Sequence, residues 1–267
     1  MLELYHNALS SCSQKVRIVL GEKHLDWKGH EVDLLGGGQH DPEYVKLNPN
    51  HVVPTLVHDG HVLIESTLIN EYLDDAFPER PMRPADPAAR HAMRLFVKRI
   101  DDGVHPAAGI LTYGIATRPV VLGQPPERRR ASWENIPDPA RRAARRSVIE
   151  HGVAAPEMRG ALEAFIGLLD RMETLLASHP WLVGDAFSLA DACALPYVLR
   201  LEHLALGHLV AARPRAAAWF ERIQALESYP AMISDGLPAP ILAMFQRNAE
   251  EVRGELEGLV AAIGSEP

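Results

Sequence analysis

Cysteine is scarce in this chain: Cys12 and Cys193 are the only two among 267 residues. Two such distant thiols supply neither a disulfide framework nor the paired spacing of a zinc site, which favours a reducing compartment. Basic charge is also short, with 27 Lys plus Arg against 35 Asp plus Glu and a net charge of −8. That balance argues against a nucleic-acid backbone as the main partner. The thirteen histidines are scattered, without an H-E-x-x-H or similar cluster, so no metal is expected. No apolar run reaches ~18 residues and no basic start precedes an apolar segment, so neither a membrane span nor a signal peptide is expected. A cytoplasmic location follows as the expectation. What remains is an ordinary globular composition, 47% hydrophobic and 23% charged, with length enough for two small cores or one large one.

The order of elements divides the chain in two. Residues 2–5, 28–34, 55–58 and 61–64 read as short strands, with helices near 11–24, 41–47 and 66–77, a βαβ unit followed by ββα. Asp59-Gly60 is a two-residue hairpin signal, because a type I′ turn needs positive φ at both positions. The glycines at 36–38 read as a flexible connection, since no Gly-Lys-Ser/Thr follows them and no helix is expected to start there. Four prolines between 78 and 87 mark a linker, beyond which strand signals stop. Helical periodicity then covers 88–112, 156–178, 213–227 and 238–260. Met158, Leu162, Phe165, Leu169, Met172 and Leu176 recur at spacings of four and three and read as bundle core. Ser188 and Asp191 have capping-box spacing, with the serine oxygen expected to accept from the Asp191 N–H and the carboxylate to reach back. Residues 114–155 are broken by five prolines and hold seven arginines between 128 and 146, among four acids. A solvated, partly helical face is the default reading of that stretch, and an anion or substrate contact by one arginine the sharper one.

The chemistry-bearing positions lie early. Ser10-Ser11-Cys12 fall where the first strand gives way to a helix, followed by Val53-Pro54-Thr55 and Glu65-Ser66. Serine is a common N-cap, so the triplet alone has a structural reading too. A thiol brought to that helix start would nevertheless meet a hydroxyl and a positive helix end, both favouring the nucleophilic thiolate. Lowering a thiol pKa from ~8.5 to about 6.5 needs roughly 2.7 kcal/mol, within reach of one charge-assisted hydrogen bond plus a helix end. By helical phase Cys12 lies with Val16, Val19 and Leu20 on the core side of the helix, and Cys193 reads as buried and inert.

With Leu47-Asn48-Pro49, Val53-Pro54-Thr55-Leu56, Glu65-Ser66 and the Ser188–Asp191 box in order, the chain resembles the glutathione transferase superfamily from end to end. The Ser-Ser-Cys triplet is similar to the zeta class, and the longer helical part to bacterial β-etherases and reductive dehalogenases. The resemblance implies a thioredoxin-like α/β domain over 1–78 and an all-helical domain over 88–267. It also implies glutathione as co-substrate and a homodimer. Ser10, with Ser11 and Cys12 as alternatives, would meet the sulfur. Pro54 would be cis and aim the Val53 backbone at the tripeptide, and Ser66 would cap the next helix and hold the γ-glutamyl carboxylate. Glu65 would take the amino group and His51 the glycine carboxylate, with His40 or Gln39 assisting. The activity implied is attack of the thiolate on a small aromatic electrophile, an ether or halide. A maleylacetoacetate-type cis–trans isomerase and a non-catalytic binding protein are the alternatives.

Overall fold

A computed structural model describes residues 1–233 and 236–265. By internal packing the chain forms two compact units. The first comprises Met1–Lys98, Met172–Pro196 and Pro214–Pro238, the second Arg99–Arg171, Tyr197–Arg213 and Ala239–Pro267.

The first unit is built on strands β1 (Leu2–His6), β2 (Trp27–Glu31), β3 (Thr55–His58) and β4 (His61–Ile64), in sheet order β2-β1-β3-β4. β1 pairs in parallel with β2 and antiparallel with β3, and β3 pairs antiparallel with β4. Helices α1 (Ser11–Glu22), α2 (Pro42–Leu47) and α3 (Ser66–Ala76) complete the thioredoxin-like motif. The β3–β4 hairpin turns through Asp59 and Gly60 at φ 48° and 85°, as the Asp-Gly pair requires. β2 is shorter than the expected 28–34, because its chain leaves the sheet at Val32 and turns through Asp33–Gly38. The glycines are also more ordered than a flexible connection: Gly37 sits at φ 87° and a 3₁₀ turn, Gly38–His40, begins directly after it.

α1 is buried nearly all round. Lys15 and Arg17 are as inaccessible as Val16, Val19 and Leu20, and Ser11, Ser13 and Gln14 are buried as well. Helical phase is uninformative for such a helix, and this is why the placement of Cys12 in the core fails: Cys12 is half-buried while its neighbours Ser11 and Ser13 are covered.

At the lower end of α1 and α3 lies a polar lock. Asp74, 4% exposed, accepts from Lys23 Nζ at 2.8 Å, the Met82 N–H at 2.8 Å and Arg83 Nε at 2.7 Å. Lys23 also donates to the Phe77 and Arg80 carbonyls, so the linker is tied to α1. Burial alone would raise the Asp74 carboxyl, but the bonds from Lys23, Met82 and Arg83 together hold it below the ordinary range. The unfolded chain therefore binds the extra proton first as pH falls. The stabilisation is complete above the usual carboxylate pKa of ~3.9 and is lost as pH drops through the lower native value. Asp74→Asn is expected to flatten the dependence of stability on pH below about 4, measured by urea unfolding at a series of pH values. An unchanged slope would remove this lock from the acid response.

Beyond the linker come α4 (Pro87–Arg99), α5 (His105–Leu111), α6 (Arg118–Leu122), α7 (Pro126–Glu134), α8 (Pro139–His151), α9 (Glu157–Leu175), α10 (Leu189–His203), α11 (His208–Ala211), α12 (Pro214–Gln224), α13 (Tyr229–Met232), α14 (Ala239–Glu251) and α15 (Arg253–Gly264). The periodic stretch 88–112 is not one helix: π-helical segments at Ile100–Val104 and Thr112–Thr117 widen it on either side of α5. The stretch 238–260 is likewise split at Val252. The stripe from Met158 to Leu176 along α9 is buried throughout, as its period demands.

The Ser188–Asp191 box is partly as expected. Asp191 Oδ2 accepts from the Ser188 N–H at 2.9 Å, but the serine hydroxyl donates to that same oxygen at 2.8 Å and accepts from the Ala190 N–H instead of Asp191's. The other carboxylate oxygen takes the Leu182 N–H at 3.0 Å and the Trp219 indole N–H at 2.8 Å.

Residues 114–155 are in large part the solvated, partly helical face expected, with Arg128, Arg130, Arg141, Arg142 and Arg146 exposed on or beside α7 and α8, but they also carry a buried cluster. Val121, Trp133 and Ile149 form a small core of their own, covered by Tyr113 and Leu122. Three arginines take up backbone carbonyls of helix ends and connections: Arg118 donates to Ile149 and Glu150 in the last turn of α8, Arg129 to Leu122 at the end of α6 and to Gln124 beyond it, and Arg142 to Ile136 and Pro137 in the connection before α8. Carbonyls in a last helical turn or a short connection lack a helical N–H donor, so an arginine fork meets a need created by the proline-broken run of short helices.

Candidate active site

The strand register decides which residues meet. His6, at the end of β1, is level with Glu31 at the end of parallel β2. Tyr5 is level with Thr55 at the start of β3, which is level with Ile64 at the end of β4. One end of the sheet therefore releases the loop to Ser10, receives the chain from Val53 and Pro54, releases Glu65 and Ser66, and releases the segment that carries His40. Four separate stretches of sequence converge there because a parallel pair and two antiparallel pairs alternate across four strands.

Asn7 fixes the approach to Ser10. Its side chain donates to Glu31 Oε1 at 2.7 Å and to the Val32 carbonyl at 2.8 Å, and accepts from the Leu9 N–H at 2.8 Å. Its carbonyl accepts from the Ser10 N–H at 3.1 Å. Ser10 is the N-cap of α1, and its Oγ accepts from the Ser13 N–H at 3.1 Å. An accepting hydroxyl still has its own proton to donate, so the cap leaves Ser10 able to donate outward. The first N–H groups of α1 have no acceptor within the helix and add positive potential at the same point. Ser11 is buried, whereas Ser10 and Cys12 are half-buried.

The Val53–Pro54 peptide bond is cis. Val53 packs with Val32 and Tyr44, and Tyr5 and Leu34 close around them. The preceding carbonyl, of Val52, accepts from Tyr44 Oη at 2.7 Å and from Asn48 Nδ2 at 2.9 Å. Both side chains also reach Thr55 Oγ1, which anchors the turn to the start of β3.

At the other flank His40 Nδ1 lies 2.9 Å from His51 Nδ1, and Gln39 Nε2 lies 3.1 Å from His40 Nε2. The three residues considered for the glycine carboxylate thus form one cluster, in which a single proton bridges the two imidazoles. His51 and Glu65 both have left-handed backbones, at φ 54° and 69°. Non-glycine residues there cost on the order of 1 kcal/mol or more and are concentrated where function fixes the chain. Glu65 is exposed and accepts from Asn50 Nδ2 at 3.3 Å. Ser66 does not cap α3 as expected: Glu65 occupies the N-cap position, no side chain caps the helix, and Ser66 is its buried first residue. A donor-rich helix start results all the same. Asn7 and Asn50 had no sequence signal beyond their neighbourhood, since their roles depend on strands and turns remote in the chain.

Among the described residues no cluster of three or more His, Cys, Asp or Glu could hold a metal ion, and no helix is long and apolar enough to cross a membrane.

Comparison with known proteins gives two family matches, the glutathione S-transferase N-terminal domain over residues 4–81 and the glutathione S-transferase C-terminal domain over 139–222. The chain is 32% identical over 197 residues to a probable maleylacetoacetate isomerase 2 of Drosophila melanogaster, covering 73% of this chain and 72% of that protein. It is 29% identical to the tetrachloro-p-hydroquinone reductive dehalogenase of Sphingobium chlorophenolicum, over 85% of this chain and 94% of that one. In three dimensions it is similar to the beta-etherase LigF of Sphingobium sp. strain SYK-6, with a TM-score of 0.78 at 28% identity, covering 88% of this chain and 99% of the other.

Proposed function

Since this chain belongs to the glutathione transferase family and is an enzyme of that kind, we propose that Ser10 and the start of α1 hold the glutathione sulfur as its thiolate. The convergence of four chain segments at one end of the sheet carries this reading. The Ser10 hydroxyl donates to the sulfur while its oxygen continues to accept from Ser13. Of the three triplet residues, Ser10 is favoured because it alone combines the cap position with partial exposure; Ser11 is buried, and Cys12 lies one residue inside the helix. The Val53 backbone pairs with the tripeptide, the start of α3 at Ser66 takes the γ-glutamyl carboxylate, and Glu65 takes the amino group. The His40–His51 pair offers an imidazole N–H to the glycine carboxylate, with Gln39 behind it.

The thiolate attacks an electrophilic carbon; the C–S bond forms as the leaving group departs with its electron pair. An aryl ether or aryl halide is the favoured substrate class, supported by the beta-etherase and dehalogenase relatives. Reversible addition to a cis–trans isomerisable acid is the second reading, favoured by the isomerase relative. Exposed Val62 on β4, Leu68 on α3 and Leu95 on α4 support a homodimer.

Glu65→Ala and Ser66→Ala are expected to raise the glutathione KM several-fold with kcat near normal, since their partners on the tripeptide do not change charge during the reaction. Calorimetry of glutathione binding checks this, and unaltered affinity in both variants would refute the placement. A panel of an aryl ether, an aryl halide and maleylacetoacetate separates the two reactions.

A further inference from the structure

A guanidinium lies buried where the first strand gives way to the helix that starts at Ser11. Arg17, on α1 and 1% exposed, has its Nη1 3.3 Å from the Asn7 carbonyl oxygen and 3.3 Å from His6 Nδ1. A guanidinium cannot accept, so Arg17 is the donor to both, and the two protons on Nη1 suffice for the pair. Arg17, His6, Asn7 and Ser10 all belong to the first unit.

The Asn7 carbonyl is also the group that holds Ser10. It accepts from the Ser10 N–H at 3.1 Å, and the Asn7 N–H donates to Ser13 Oγ at 3.3 Å. Ser13 in turn gives its own N–H to Ser10 Oγ at 3.1 Å. Asn7, Ser10 and Ser13 thus close a ring of hydrogen bonds that sets Ser10 at φ −84° and ψ 116°, the extended backbone of a helix cap. Arg17, about two turns further along α1, ties this ring back to the body of the helix.

His6 is a firm second anchor. Its buried ring meets Trp27 edge-on with 5.2 Å between centroids, and β2 passes so close that a Cβ at Gly29 would lie 3.0 Å from His6 Nε2. Arg17 therefore grips the exit of β1 at two successive residues. Stability alone is a poor reason for a cation in this place, because a buried guanidinium is costly to desolvate and an apolar side chain of similar volume is often neutral or better. Holding two acceptors in a fixed relation is what a rigid guanidinium does well.

We propose that Arg17 is a positioning residue for the thiolate reaction: by holding the Asn7 carbonyl and His6 it fixes the turn from which the Ser10 hydroxyl is aimed at the sulfur. This rests on the role proposed for Ser10. A hydrogen bond weakens steeply as its angle closes, so a loosened turn costs thiolate stabilisation even with the hydroxyl still present. The ends of the tripeptide are held elsewhere, by the start of α3 and the His40–His51 pair, and glutathione affinity is largely spared.

The test is the pH titration of the ultraviolet thiolate absorbance of glutathione bound to Arg17→Met and Arg17→Lys, each checked for folding by circular dichroism. Arg17→Met removes the donors, and its bound thiol is expected to titrate about one pH unit higher than in the wild type, with kcat at neutral pH lowered about tenfold and glutathione affinity by calorimetry within a few-fold. Arg17→Lys keeps a donor but loses the fork and is expected to show a smaller rise in the same direction. In a Ser10→Ala background Arg17→Met should add little, because no hydroxyl is left to aim. A folded variant of either kind that titrates like the wild type overturns the role, and so does a full additional rise in the Ser10→Ala background. Should Arg17→Met not fold, Arg17→Lys decides alone. If Ser10→Ala itself leaves the titration unmoved, the proposed thiolate contact falls and the role of Arg17 with it; if Ser10→Ala moves the titration and the Arg17 variants do not, the role of Arg17 alone falls.

Discussion

Replacing Ser10 by alanine is expected to cut kcat by ~10²-fold or more while leaving the glutathione KM within a few-fold of normal. The hydroxyl bonds a thiolate more strongly than a thiol, so its loss falls on the charge that develops at sulfur and little on the bound tripeptide. The cap bond to the Ser13 N–H is lost as well, which costs about 1 kcal/mol of helix stability and does not by itself alter the chemistry. Steady-state kinetics on the folded variant separates these effects. If Ser11→Ala carries the loss instead, the contact moves one residue, although Ser11 is buried at the first position of α1. If Cys12→Ala alone is inactive, Cys12 replaces Ser10 as the residue that meets the sulfur.

Asp191→Ala is expected to be the most damaging single change to stability, at about 3–5 kcal/mol. The carboxylate is wholly buried and accepts four hydrogen bonds, from the Leu182 and Ser188 backbone, the Ser188 hydroxyl and the Trp219 indole. Alanine leaves several of these donors buried without an acceptor, at about 1–3 kcal/mol each before relaxation. With roughly 2–4 °C per kcal/mol at this chain length, the melting temperature should fall on the order of 10 °C. Asp191→Asn should not rescue it, because an amide NH2 would face an indole or backbone N–H. Normal specific activity in the folded fraction is expected, and a normal melting temperature with lost activity would give Asp191 a chemical role instead.

The periodic and local features were legible in the sequence. The Asp59-Gly60 hairpin, the α9 stripe and the Ser10 cap each depend on residues within a turn or two of one another, so composition and spacing suffice to place them. The site's outline was legible for the same reason, since its motifs lie at strand ends. What was not legible depends on packing. Cys12 was misplaced because a helix buried on all faces carries no phase signal. The box around Asp191 was read as a two-residue cap, whereas two of its donors come from Leu182 and Trp219. The exposed, partly helical character of the arginine-rich stretch was legible, but nothing in one sequence tells which guanidinium meets a backbone carbonyl and which lies over Tyr113. Asn7 and Asn50 become informative only once β2 and the turn before Glu65 are brought beside them.

The central claim is that the start of α1 stabilises bound glutathione as a thiolate through Ser10. Its most direct test is the thiolate ultraviolet absorbance of the protein–glutathione complex, titrated with pH in the wild type and in Ser10→Ala. The account predicts a thiolate that forms well below the free-thiol pKa of ~8.5 in the wild type, and a titration that moves back toward that value in the variant. Bound glutathione that shows no thiolate below pH ~8, or a low titration that survives in Ser10→Ala, would contradict it.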